Sequence, residues 1–330
     1  MHAAYIAGLD IGGTKIAATI ADSSGPLVRV SAPTIKSGSE RALAEQCIDL
    51  LKDACAKIDV SFDRINTIGV SSCGPFIKED DLISLVPPNI CGGITPHSDL
   101  PNNWKSIPLE KVLREKFPLV EIRNDCVAAL AAERAFGNVQ GEADCAYVTW
   151  STGIGFGLCV GGNLLTGKNG NAGHAGHMLM TDQSDAQCGC GNFGDVEALI
   201  SGRNLEQQFG RSAAELFDAA RAGETMAQVI VANAARWFGR ALFNVAVTLD
   251  IKVFLIGGSV WHHHGDWLAP LVMEELTSRM PVLTTDITLS GPGLDSYVAD
   301  IGALYLVMPE EWYDEWRMQQ PWHKLGTEED

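Results

Sequence analysis

The chain has 330 residues, 46% of them hydrophobic, enough for two domains of roughly 150 residues, each with its own core. Its 24 Lys and Arg stand against 41 Asp and Glu, a formal net charge of -17, which argues against a nucleic-acid partner because that would need a basic footprint. No basic stretch followed by an apolar one opens the chain, and no apolar run reaches the ~18 residues of a membrane helix, so neither a signal peptide nor a membrane partner is expected.

Residues 5–21, YIAGLDIGGTKIAATIA, read as strand, turn, strand around Gly12, Gly13 and Thr14. The turn is either a plain hairpin or an anion loop, since glycine amides and a Thr hydroxyl approach phosphate closely. Asp10 at the strand end is placed to hold Mg²⁺ through water, and Lys15 adds positive charge. Residues 38–58 carry a helical pattern with Leu43, Cys47, Leu50, Leu51, Ala54 and Ile58 on one side. A buried strand over 67–71 leads into the turn Cys73-Gly74-Pro75. Residues 86–104 form a Pro-, Gly- and Asn-rich loop of a length that is usually functional or disordered. A short helix over 109–117 and a strand over 119–122 then deliver Asn124 and Asp125 to the start of a helix over 126–136. Asp125 reads either as a helix cap or as a general base at a strand end, with Asn124 offering donor and acceptor to a polyol.

Residues 146–160 repeat the opening logic, with Ser151, Thr152 and Gly153 in the turn, which suggests a duplicated domain and a second phosphate loop facing a shared cleft. Next comes GNAGHAGHMLMTDQSDAQCGCGNFGDVE, residues 170–197, where Cys188 and Cys190, His174 and His177, and Asp195 and Glu197 supply a zinc-ligand vocabulary. Helices are expected over 196–209, 213–220 and 223–249, then a strand over 252–256 ending in Gly257-Gly258-Ser259, where the backbone can approach a flat ligand. His262 to His264 are assigned to a solvated loop, because consecutive residues do not face one point. Helices over 266–278 and 296–307 and a strand ending over 288–290 follow. Trp312 and Trp316, four apart, anchor the terminus, and the final GTEED is expected to be disordered. The nine cysteines, an odd number in apolar surroundings, read as reduced thiols in a cytoplasmic protein.

These segments, in this order over residues 5–306, resemble the ROK group of sugar kinases within the actin/hexokinase/Hsp70 superfamily. Leu9 to Lys15 is similar to that group's first phosphate motif, Gly69 to Pro75 to its G-x-x-x-x-G-P turn, and Asn124-Asp125 to its sugar-binding Asn and catalytic Asp. Ser151 to Gly155 resembles the second phosphate motif and Ile256 to Ser259 the adenosine motif. The signature E-x-G-H followed by C-x-C-G-x-x-G-C-x-E appears as His174-Ala-Gly-His177 and then Cys188 to Glu197, with His174 in place of the Glu and Asp195 in place of the last Cys.

The resemblance implies two actin-like (ribonuclease H-like) α/β lobes with mixed sheets around an interlobe cleft. The smaller lobe is expected over 1–123, joined by a C-terminal helix over 308–330, and the larger over 124–307. It implies ATP and Mg²⁺ as cosubstrate and cofactor, bound through Asp10, Gly12, Gly13, Thr14, Lys15, Ser151, Thr152, Gly153, Gly257 and Gly258. A structural Zn²⁺ would sit on His177, Cys188, Cys190 and Asp195. The sugar would meet Asn124, Asp125, His174, His177 and Glu197, with Gly74 and Asn89, and Asp125 would be the base. The reaction expected first is glucose to glucose 6-phosphate, with N-acetylmannosamine, N-acetylglucosamine or fructose as other acceptors. His174 puts sugar preference in question, because a neutral imidazole cannot accept hydroxyls as a carboxylate does. A non-catalytic sugar sensor is the reading from another class, opposed by intact Asp125 and both phosphate loops. A DNA-binding repressor of the same group would need an added N-terminal domain, for which Asp10 leaves no room. A homodimer or homotetramer is implied by the resemblance alone.

Overall fold

The hairpin read from residues 5–21 is β1 (Tyr5–Ile11) paired antiparallel with β2 (Lys15–Asp22). Both strands are apolar on both faces and almost wholly buried, as strands covered on two sides must be. β3 (Gly25–Pro33) adds antiparallel to β2. Its prolines at 26 and 33 disguise it in the sequence, but it lies at the sheet edge, where a missing amide donor is tolerated. α1 (Ala42–Lys57) buries the face carrying Leu43, Cys47, Leu50, Leu51 and Ala54. β4 (Ile65–Ser72) then runs parallel to β1. A hairpin of β5 (Phe76–Glu79) and β6 (Leu82–Leu85), α2 (Leu109–Arg114) and β7 (Leu119–Asn124), parallel to β4, follow, and the chain turns directly into α3 (Asp125–Phe136). The first sheet has the order β3-β2-β1-β4-β7.

The second sheet repeats this plan. β8 (Cys145–Trp150) and β9 (Ile154–Val160) form the hairpin, and β10 (Asn163–Leu164) adds to its outer edge. Four helices intervene: α4 (Val196–Ile200), α5 (Gly202–Phe209), α6 (Ala213–Arg221) and α7 (Thr225–Leu249). β11 (Val253–Gly257) lies parallel to β8, and after α8 (Ser259–Thr277) and α9 (Pro281–Thr284), β12 (Thr288–Ser290) lies parallel to β11. The order β10-β9-β8-β11-β12 matches the first sheet position for position, so the duplication read from two Gly/Thr turns is a duplication of topology. α10 (Val298–Tyr305) and α11 (Tyr313–Gln319) close the chain. This computed structural model describes residues 5–94 and 99–325, so part of the 89–103 loop and the terminal GTEED lie outside the described residues.

The chain forms two units: Met1–Gly141 with Thr166–Ala172 and Gly293–Asp330, and Glu142–Leu165 with Gly173–Pro292. The 123/124 boundary expected from the sequence falls at the β7–α3 junction, inside the first unit. Packing explains why α3 and α10 belong there. Gly8 of β1 and Gly69 of β4 present bare backbone to α10, and a β-carbon at Gly69 would run into the Ala303 carbonyl. α3 in turn meets α10 at Gly302, whose absent side chain admits the Ala128 backbone. The first unit's terminus is pinned by an aromatic cluster in which Trp316 and Trp322 pack against Phe136, and Trp316 Nε1 donates to the Ser23 carbonyl at 3.1 Å. In the second unit α7 buries Ile230, Val231, Ala234, Phe238, Ala241, Leu242 and Val245, a 3.6-residue stripe, and Phe238 meets Trp150 at 4.5 Å.

One local expectation is corrected. His262 to His264 lie within α8, not in a loop. Histidine is compatible with a helix, so a three-His run does not interrupt one. His262 and His263 are exposed, whereas His264 is buried and stacked on Phe217 at 4.6 Å.

Candidate active site

In the first unit, the Gly12–Thr14 turn is closed by the Gly12 amide donating to the Lys15 carbonyl at 3.0 Å, and Thr34 holds it from the side through its Oγ1 on the Gly12 carbonyl at 2.8 Å. A β-carbon at Gly13 would strike the Asn89 carboxamide, so this glycine lets a predicted sugar residue stand against the predicted phosphate turn. Thr14 and Lys15 are exposed.

Asp10 is partly buried at the end of β1 and accepts from Ser71 Oγ at 3.3 Å. Burial, then the nearby negative charges of Asp300 and Asp125, push its pKa up to about 7. Asn124 ends β7 and caps α3, its Oδ1 accepting the Cys126 amide at 3.1 Å, while Asp125 Oδ1 accepts the same amide at 2.8 Å. Asp125 is therefore the first residue of the helix, and its neighbour is the cap. Burial raises the Asp125 pKa above the ordinary carboxylate value. The parallel strands β1, β4 and β7 thus bring Asp10, Ser71, Asn124 and Asp125 to one edge, the carboxyl ends where open α/β sheets place ligands. Gly74 follows β4 at that edge.

Three supporting groups carry no motif signal. Asp300, buried in α10, accepts Thr19 Oγ1 at 2.7 Å and Arg29 Nε at 3.0 Å. Asn171 clamps β5, its carboxamide accepting the Phe76 amide and donating to the Phe76 carbonyl, both at 2.7 Å. Asn102 knits the described part of the long loop, its Oδ1 accepting the Gly92 and Trp104 amides and its Nδ2 donating to the Lys36 and Ile90 carbonyls. Only their role in a fold, not their spacing in the chain, could have marked them.

In the second unit, the Ser151–Gly153 turn is seated on the segment that follows the Cys-rich loop. The Ser151 carbonyl accepts the Gly202 amide at 2.8 Å, Trp150 Nε1 donates to the Ile200 carbonyl at 2.9 Å, and Ser151 Oγ pairs with Ser259 Oγ at 3.0 Å. Gly258, at φ 90, lies so close to the Trp150 backbone that no side chain fits, which sets the Gly257–Ser259 turn beside Ser151. Glu197 Oε2 accepts the Ile154 amide at 3.0 Å. The turn carrying His174 and His177 packs against β9: a β-carbon at Gly176 would meet the Ile154 carbonyl, and one at Gly173 the Phe156 carbonyl. His174, His177 and Glu197 are therefore built onto the same hairpin as Ser151, Thr152 and Gly153.

The predicted metal ligands converge. One ligand atom from each of His177, Cys188, Cys190 and Asp195 lies within 4.8 Å of all the others. His177 Nδ1 is 3.2 Å from Asp195 Oδ2 and 3.6 Å from Cys188 Sγ, and Cys190 Sγ is 3.5 Å from Asp195 Oδ2. A tetrahedron built on Zn bonds of about 2.0–2.3 Å has edges of roughly 3.3–3.8 Å, close to these three separations, and two thiols, an imidazole and a carboxylate are donors of the kind zinc takes. Asp195 does two jobs. Its Oδ1 caps α4 by accepting the Ala198 amide at 2.7 Å, and its Oδ2 faces the cluster. Burial works to raise the Asp195 carboxyl, but His177 and the Ala198 amide together hold it below the usual range. Burial pushes both cysteine thiols up, so an ion that binds them must displace their protons.

Comparison with known proteins decides the family. The ROK family model matches residues 6–309. The chain belongs to the ROK family. This ROK chain is 34% identical over 260 residues to the N-acetylmannosamine kinase of Escherichia fergusonii, covering 76% of this chain and 82% of that protein. The ROK hexokinase from Thermus thermophilus matches with a TM-score of 0.74 and 31% identity, covering 92% of this chain and 97% of that one. The ROK glucokinase from Streptomyces griseus, solved in complex with glucose and AMPPNP, shares the fold at a TM-score of 0.70 and 24% identity, covering 92% of this chain and 99% of that one. These relatives are sugar kinases, and the two-sheet actin-like α/β fold is theirs. No helix among the described residues is long and apolar enough to cross a membrane.

Proposed function

We propose that this ROK sugar kinase transfers the γ-phosphoryl group of ATP to a hydroxyl, O6, of an N-acylated amino sugar, N-acetylmannosamine first. The observation that carries this reading is the 34% identity to an N-acetylmannosamine kinase across 76% of the chain. It moves glucose, the first choice from sequence, to second place. His174 supports the change. A carboxylate only accepts, which suits sugar hydroxyls, whereas an imidazole N–H donates, which suits the carbonyl of an N-acyl group.

Asp125 is the base in this reading, taking the hydroxyl proton as the oxygen attacks phosphorus. Its raised pKa fits that work, since a more basic carboxylate accepts a proton more readily. Gly12, Gly13, Thr14 and Lys15, and Ser151, Thr152 and Gly153, hold phosphates through amides, hydroxyls and one positive charge. Gly257 and Gly258 offer bare backbone to the adenosine. Asn124, Asn89, Gly74, His174, His177 and Glu197 orient the sugar. Asp10 would hold Mg²⁺, which when bound supplies charge neutralisation along the phosphates. His177, Cys188, Cys190 and Asp195 would hold Zn²⁺ as a closed, four-ligand structural site.

The test is ADP release measured with N-acetylmannosamine, N-acetylglucosamine, glucose and fructose, one at a time. The reading expects the highest kcat/KM with N-acetylmannosamine. Glucose preferred by tenfold or more would return the assignment to glucokinase, and no sugar-dependent ADP with any of the four would favour a non-catalytic sensor.

A further inference from the structure

Ile154 is the first residue after the proposed phosphate turn, and both of its peptide groups are occupied in an unusual way. Its amide donates to a side chain, Glu197 Oε2, at 3.0 Å. Its carbonyl is approached so closely by Gly176, in the turn between His174 and His177, that a β-carbon there would collide. Gly153 completes the contact, since a β-carbon at that position would lie 2.8 Å from Glu197 Oε2. The other carboxylate oxygen, Oε1, accepts from Cys188 Sγ at 3.3 Å. Two more bonds to the turn, from the Gly202 and Arg203 amides to the Ser151 and Thr152 carbonyls, come from the backbone just beyond Glu197, and Ser151 Oγ pairs with Ser259 Oγ. Three of the bonds that hold the turn thus come from one short stretch, and among them Glu197 supplies the side-chain tie.

We propose that Glu197, assigned above to the sugar, is also a positioning residue for the nucleotide: its Oε2 fixes the Ile154 amide and so holds the Ser151–Gly153 turn in the shape that receives phosphate. One carboxylate then carries both assignments, with Oε2 committed to the turn and Oε1 accepting from the Cys188 thiol. This rests on the proposed assignment of the turn to ATP. What holds the turn is an acceptor at that place, and its loss leaves the amide of a buried residue unpaired.

The test is calorimetric binding of AMPPNP with Mg²⁺ in the absence of sugar, beside hydrogen exchange of the peptide spanning 150–155, for the full chain and three variants. Glu197→Gln keeps an oxygen that accepts the Ile154 amide and is expected to bind AMPPNP within about twofold of the unaltered chain. Glu197→Ala and Glu197→Asp, the latter charged but one methylene too short, are expected to weaken binding at least fivefold and to speed exchange in 150–155. The Asp variant carries the test if the Ala variant fails to fold. AMPPNP bound equally by all four proteins, or lost equally in Gln and Asp, overturns the inference while leaving the kinase reading intact. An unaltered chain that binds no AMPPNP overturns the kinase reading and this inference with it.

Discussion

Asp10 carries a cost that can be measured without catalysis. Burial, with Asp300 and Asp125 nearby, raises its pKa from 3.8 to about 7. At about 1.4 kcal/mol per tenfold, that displacement sets a ceiling of about 4 kcal/mol against the fold when the group is ionised. Asp10 keeps some contact with solvent, which screens the charge, so the expected figure is about 2 kcal/mol. The sign follows from linkage. Below the ordinary carboxylate value Asp10 is neutral folded and unfolded and costs nothing. As pH rises the unfolded chain ionises first, so stability is lost up to about pH 7 and the full loss remains above it. Asp10→Asn keeps an oxygen for the Ser71 hydroxyl, 3.3 Å away, and removes the charge. In urea titrations without added Mg²⁺ or nucleotide, Asp10→Asn should be more stable than the unaltered chain by about 2 kcal/mol at pH 8, with the gain shrinking toward zero near pH 4. No gain at pH 8, or a gain that does not change with pH, refutes the reasoning. The same variant should lose Mg²⁺-dependent turnover, so that stability and activity move in opposite directions.

Three further outcomes are expected. Asp125→Asn should lower sugar-dependent ADP formation at least ~10²-fold with a small change in sugar KM, the size of a lost general base. Near-normal turnover would remove Asp125 from that role. Asp195→Ala should lose both the α4 cap, worth about 1 kcal/mol, and a metal ligand. Asp195→Cys should restore the ligand alone, so zinc per chain by plasma emission should fall below half in Ala and return near one in Cys; equal content in both would show that Asp195 is no ligand. His174→Glu should shift kcat/KM toward glucose relative to N-acetylmannosamine by about tenfold, the scale of one hydrogen bond of about 1.4 kcal/mol, and an unchanged ratio would free His174 from specificity.

What the sequence disclosed was what has a short-range signature. The hairpins, the 3.6-residue stripes of α1 and α7, and the convergence of His177, Cys188, Cys190 and Asp195 all depend on neighbours in the chain. β3 was hidden by its prolines, and β5 and β6 by their shortness. That α10 packs on β1 and β4, more than 230 residues away in the chain, has no local signature either. Asp300, Asn171 and the Glu197–Ile154 bond were invisible for the same reason: an Asp, Asn or Glu has no local mark that says which distant group it will meet. Asp10 and Asp125 stand out in the sequence at strand ends, but the repulsion between them does not, because it exists only when β1 and β7 bring them to one sheet edge.

Glu133 has a consequence for the order in which the protein is made. This fully buried carboxylate in α3 accepts the amides of Asn138, Gly293 and Leu294 at 2.8–2.9 Å. Two of its three donors are synthesised some 160 residues after it. Until they leave the ribosome, α3 carries an acid with most of its partners missing, and β1 and β4 lack the α10 backbone that covers their glycines. The N-terminal residues are thus the first to be made and the last to be finished, while the second unit is already complete in sequence when the chain reaches Pro292. A chain stopped there is expected to yield, on limited proteolysis, a resistant fragment from 142–292 and a digested remainder.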